Sequence, residues 1–68
     1  MDIKRGAEFT HAHFMNCERE PLLCRVTRVA QGVVYYRPVY GKHDDGTDWL
    51  GSPAYIGVED FQDIARET

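Results

Sequence analysis

Four side chains able to ligate a metal or act as nucleophile and base, His11, His13, Cys17 and Cys24, fall in the first half of the chain. Imidazole and thiolate suit zinc, and a tetrahedral site would stabilise a chain of only 68 residues. The spacing, H-x-H then x3-C then x6-C, departs from a compact zinc knuckle, and cysteine is among the residue types most often buried. The expectation is therefore two reduced thiols, with Cys24 in a strand core, and two histidines on a strand surface. A Cys17–Cys24 disulfide is not expected in a cytoplasmic chain. Nucleophilic catalysis would need one of these thiols beside His11, His13 or His43 in a cleft that excludes water. No local signature assembles that arrangement, and a small barrel leaves little room for a substrate pocket. The chain is read as non-enzymatic, without a cofactor.

Asp44, Asp45 and Asp48 around Gly46 offer carboxylates on a tight turn, the donor type a hard cation needs. A calcium loop of twelve residues requires a further Glu that the stretch from Trp49 to Tyr55 does not supply. The segment is read as a solvated acidic loop, and no metal site is assigned.

The aromatic residues point instead to binding. Tyr and Trp give large contact area at low entropic cost and are enriched with Arg at interfaces. Tyr36 and Tyr55 are expected to fill the core with their polar tips outward, which leaves Tyr35, Tyr40 and Trp49, with Arg37, as the partner-binding set. An alternative set is Arg25, Arg28 and Arg37, basic residues of one hairpin that could meet nucleic-acid phosphates. The net charge of -3 opposes that reading, and arginines on a strand edge also deter edge-to-edge aggregation. Self-association through an exposed strand edge is a third reading.

These residues have to be positioned by strands. Leu22 to Pro38 reads LLCRVTRVAQGVVYYRP, two runs of β-branched and aromatic residues around Ala30-Gln31-Gly32, which predicts a hairpin of strands 22–29 and 33–40. A Gly closing a three-residue loop suits a type I turn with a bulge, in which Val29 pairs with Val33; the alternative, a two-residue turn at Gln31-Gly32, shifts the pairing by one and changes which residues face each other. One face then carries Leu22, Cys24, Val26, Val34 and Tyr36, and the other Leu23, Thr27, Val29, Val33, Tyr35 and Val39. Neither face is cleanly polar, so both are covered or one is a contact surface. A strongly bent barrel satisfies this requirement. Lys4 to Ala7 reads as a turn and Glu8 to Phe14 as a first strand. Residues 16–21 read as a wide, irregular loop ended by a proline, residues 41–48 as a loop, and Ala54 to Ile56 as a last strand. Val58, Phe61, Ile64 and Ala65 recur at helical spacing, with Glu59 and Asp60 at the start and Arg66 at the end. A helix this short is stable only when docked, here across an open end of the barrel. With no apolar run near the roughly 20 residues of a membrane helix and no signal-peptide stretch, a soluble cytoplasmic protein of one domain is expected.

Arg5 to His11, Phe14, Pro21, Cys24 to Val29, Gly32, Val34 to Arg37 and Val58 to Phe61 together resemble a pattern in uncharacterised small proteins of actinobacteria and their bacteriophages, and the order of elements resembles an SH3-like barrel. That resemblance implies a compact accessory protein, phage-encoded or host-encoded, and carries over no functional residue. The reading is a mainly β, small SH3-like barrel of about five short strands with a short C-terminal α-helix, acting as an interaction module for another protein of host or phage.

Overall fold

The structure, a computed structural model, describes residues 2–67. The strands are β1 (Glu8–Met15), β2 (Pro21–Ala30), β3 (Val33–Lys42), β4 (Asp48–Leu50), β5 (Ala54–Gly57) and β6 (Ala65–Arg66), with one helix, α1 (Val58–Ile64), between β5 and β6. The fold is mainly β, as the residue pattern predicts. All pairings are antiparallel, in the order β4-β3-β2-β1-β6, with β5 also on β3. β3 is the centre. One of its edges pairs with β2, while the other is shared by β5 along Val33–Tyr36 and β4 along Val39–Lys42. α1 leads from β5, which lies on β3, to β6, which lies on β1, and packs against β1, β3, β5 and β6, so it joins the two sides of a small barrel-like sheet.

The hairpin turn is the two-residue alternative, not the three-residue loop. Ala30 pairs with Val33, and the two residues between them both have positive φ, 53° at Gln31 and 75° at Gly32. This is the two-residue primed turn, whose twist matches the twist of the strands it joins; a type I turn splays them. Val29 consequently stands opposite Val34, not Val33. Between Val26–Tyr36 and Arg28–Tyr35 the register shifts at Thr27, whose hydroxyl donates to the Tyr35 carbonyl at 3.3 Å. The tight turn moves the pairing by one residue and this bulge moves it back. Leu22, Cys24, Val26, Val34 and Tyr36 therefore all reach the core as the sequence pattern requires.

Four further expectations need correction. Residues 16–20 form a tight turn, not a wide loop: Asn16 N–H donates to the Glu20 carbonyl at 2.8 Å and Asn16 Oδ1 accepts from the amides of Glu18 and Glu20. The acidic loop is shorter than residues 41–48, because Gly41 and Lys42 continue β3 and Asp48 begins β4. The expected strands, about five, become six among the described residues, through β4, which takes in Trp49 and Leu50, and through β6. The fourth is Arg66, which lies in β6 beyond the helix yet still serves its end, since Nη1 donates to the carbonyls of Gln62 and Ala65.

The core consists of Phe9, Cys24, Val26, Val34, Phe61 and Ile64, with Phe9 packed edge-on to Phe61 at 4.9 Å and to Tyr36 at 5.5 Å between ring centroids. α1 supplies Phe61 and Ile64 from one face. Its start is fixed by the Val58 amide, which donates to the Gly32 carbonyl at 2.8 Å, tying the helix to the hairpin turn. Among the described residues no helix is long and apolar enough to cross a membrane.

Phe61→Ala should lower stability by about 3–5 kcal/mol, most of what a domain of this size possesses. Asp63→Ala, an exposed change on the same helix, should stay within about 0.5 kcal/mol. Urea denaturation followed by circular dichroism compares the two.

Candidate functional site

Tyr40 is the residue at which β3 leaves regular pairing. Val39 pairs with Leu50 and Gly41 with Trp49, so Tyr40 sits in a register shift between them. A bulge re-aims the side chain it carries. The Tyr40 ring meets Trp49 edge-on, with centroids 5.8 Å apart and planes at 66°, and both residues are 54% exposed. His43 adds a third ring 6.3 Å from Trp49. Behind Tyr40 lies Gly51, whose amide donates to the Pro38 carbonyl at 2.8 Å. A Cβ at that position would stand 2.5 Å from Tyr40 Cε2 and 2.6 Å from Pro38 Cγ, so only glycine lets the ring lie this close to the backbone.

The opposing wall is the turn after β1. Asn16, Cys17 and Glu18 face Val39, Tyr40 and Trp49 across a groove of about 210 Å³. The two hydrogen bonds accepted by Asn16 Oδ1 hold this wall in one shape. Residue types alone flag Tyr40 and Trp49. They do not flag Asn16, Cys17 or Glu18; the available signal was an Asn two and four residues ahead of backbone amides it could cap, just before a proline.

The other members of the expected partner-binding set lie elsewhere. Tyr35 is five residues from Tyr40 along the strand, roughly 16 Å, and belongs to a second cluster: its ring lies 6.1 Å from Tyr55 and has the Arg28 guanidinium 5.5 Å above it. Tyr55, expected in the core, is 74% exposed, because β5 pairs it with Tyr35 on the outer side of the sheet while neighbouring Ile56 packs on the core. Tyr36 is half-buried against the core as expected. Arg37 supports the groove from behind, its Nε donating to the Gly51 carbonyl at 2.6 Å.

The arginines of the alternative set are not equivalent. Arg25 and Arg37 are direct cross-strand partners, a like-charge pairing that is unfavourable unless compensated. Compensation comes from Glu8, 3.0 Å from Arg25, and from Asp48, which binds Arg25 and, at 2.9 Å, Lys42. Lys42 and Arg25 hold the Asp48 carboxyl below its ordinary range, so this member of the acidic loop is engaged by the strands. Asp45 accepts from the amide and hydroxyl of Thr47 and is lowered likewise. Arg28 stacks on Tyr35.

His11 is buried, contrary to the expected strand-surface position: it follows Phe9 into the interior before the register of β1 shifts between Thr10 and Met15. Its Nδ1 accepts the His13 amide at 3.1 Å, which places the proton of the neutral ring on Nε2, and its ring packs 4.6 Å from Phe14. Burial, and then the nearby His13, lower its pKa. Cys24 is buried and its thiol is pushed up to about 11 by desolvation, while Cys17 is exposed; both are free. Among the described residues no three His, Cys, Asp or Glu side chains are grouped to hold a metal ion.

No protein-family model, no curated protein and no solved structure matches this chain.

Two outcomes follow from the geometry. The native state favours neutral His11, so the unfolded chain, with an ordinary value of 6.5, binds more protons between that pH and the depressed native value; stability must fall as pH drops through this window. The urea midpoint should decrease from pH 7.5 to pH 5, and His11→Gln should flatten that decrease, whereas Asp45 and Asp48 act only nearer and below 3.8. Gly51→Ala should cost about 1–3 kcal/mol through overpacking and shift the Tyr40 and Trp49 ring resonances in NMR spectra.

Proposed function

We propose that this chain is a non-enzymatic interaction module that binds a short extended segment of another protein in the groove between the Tyr40–Trp49 pair and the turn at Asn16–Glu18. One observation carries the reading: two large aromatic side chains stand more than half exposed, fixed edge-to-face over a groove and braced by Gly51 and Arg37, although the core is complete without them. Rigid exposed aromatics are what binding hot spots are made of. At about 210 Å³ the groove is below the roughly 300–1,000 Å³ of small-molecule sites and suits one or two side chains of a peptide.

Nucleic-acid binding through Arg25, Arg28 and Arg37 is less well supported, because a phosphate would have to displace Glu8 or Asp48 from Arg25. The resemblance to actinobacterial and phage proteins favours an accessory role beside a host or phage partner.

The test is affinity capture from lysate with and without nuclease, read by mass spectrometry. Tyr40→Ala with Trp49→Ala should leave the melting temperature within a few degrees, since both rings are outside the core, while weakening partner binding by about 30-fold or more, the scale of a single hot-spot aromatic. Capture unchanged by the double substitution removes the groove from consideration. Capture abolished by nuclease transfers the function to the hairpin arginines.

A further inference from the structure

Building on the groove as the binding site, we infer that its ligand presents a basic side chain, a guanidinium or an ammonium, to the rings of Tyr40 and Trp49. The two rings meet edge-on, with planes at 66° and centroids 5.8 Å apart, and both line the groove. The face of an aromatic ring carries the negative part of the ring quadrupole and attracts cations lying within about 6 Å of the centroid.

The charges around the groove have the matching sign. Glu18 is the one carboxylate that lines it, it is exposed, and among the described residues no basic side chain pairs with it. The turn that carries Glu18 also bears Glu20 and a single cation, Arg19, and the turn that follows β3 bears Asp44 and Asp45, the latter kept ionised by Thr47. Two acidic turns flanking an aromatic pair make a surface of negative potential, which attracts a cation and repels an acidic or phosphate-bearing ligand.

The molecule already makes this contact elsewhere. Arg28 lies 5.5 Å over the Tyr35 ring on the outer face. No cation among the described residues occupies the equivalent place over Tyr40 or Trp49. The basic residue nearest to Tyr40 in sequence, Lys42, is held by Asp48, and Asp48 and Trp49, as successive strand residues, point to opposite faces. The cation for these rings is therefore supplied by the ligand. A basic segment of a partner protein provides it together with the extended backbone a groove accommodates.

Capped tripeptides with a central Arg, Lys, norleucine or Glu distinguish the chemistry, with the backbone amides of Cys17, residue 18 and Tyr40 followed by NMR. The Arg or Lys peptide should bind at least about 5-fold more tightly than the norleucine peptide, the scale of a partly exposed cation–π contact. The preference should shrink in high salt. Glu18→Gln should weaken the basic peptide several-fold and leave the norleucine peptide unchanged, and Trp49→Ala should abolish the preference. Norleucine or Glu binding as well as Arg and Lys, or no shift with either basic peptide, overturns the inference. The groove itself fails by a different result, partner capture insensitive to Tyr40→Ala with Trp49→Ala, so the two failures are distinguishable.

Discussion

Every other strand and the helix take their positions from the pairing of β3 on both of its edges. A strand paired on one edge can leave a face to water. β3 has β2 on one side and β5 then β4 on the other, so its side chains are surrounded in the plane of the sheet as well as covered from the core. This accounts for the unbroken Val33-Val34-Tyr35-Tyr36 run, which serves two faces at once: Val34 and Tyr36 go to the core, and Tyr35 to the cluster with Tyr55 and Arg28. The double pairing also sets where the helix begins. β5 delivers the chain to Gly57 opposite Val33, beside the hairpin turn, and the Val58 amide takes the Gly32 carbonyl. Seven residues of helix without a side-chain cap are far too few to be stable alone; Phe61 and Ile64 hold them by completing a core that the sheet leaves open.

The sequence made the long elements legible because their signal is periodic. Ten-residue strands of β-branched residues and the Val58, Phe61, Ile64 repeat identify themselves. β4 and β6 could not be seen, since strands of three and two residues exist only because a partner edge is in reach and carry no pattern of their own. The sequence leaves two turns open at Gln31-Gly32, because Gly32 announces a positive φ in either, while the Gln at 53° that decides for the primed turn has no sequence signal and is imposed by the twist of the strands it joins.

The groove was half legible for a related reason. Exposure-prone aromatic types mark Tyr40 and Trp49, but grouping them with Tyr35 overlooks the length of the strand, which sets Tyr35 roughly 16 Å from Tyr40. Alternation alone sets Tyr35, Arg37 and Val39 against Tyr36 and Pro38, and the bulge at Tyr40 adds a local change of direction that no period describes. The far wall at Asn16–Glu18 depends on where β1 ends relative to β3, two strands away across the sheet. That relation belongs to the topology and not to any stretch of sequence.

The two faces of the barrel differ in whether their chemistry is complete. On the outer face Arg25 has Glu8 and Asp48, Lys42 has Asp48, Arg28 has Tyr35, and Arg37 has the Gly51 carbonyl; each charge there already has an intramolecular partner. In the groove Tyr40 and Trp49 stand across from Glu18, which pairs with no basic side chain among the described residues. A site built at a bulge, outside the core and braced by backbone contacts, can change its side chains at little cost to folding, because the ladder is already interrupted there and no buried surface is lost. Stability in this chain is concentrated between Phe9, Phe61 and the strands that surround them, and recognition is placed where the strand pairing of β3 breaks.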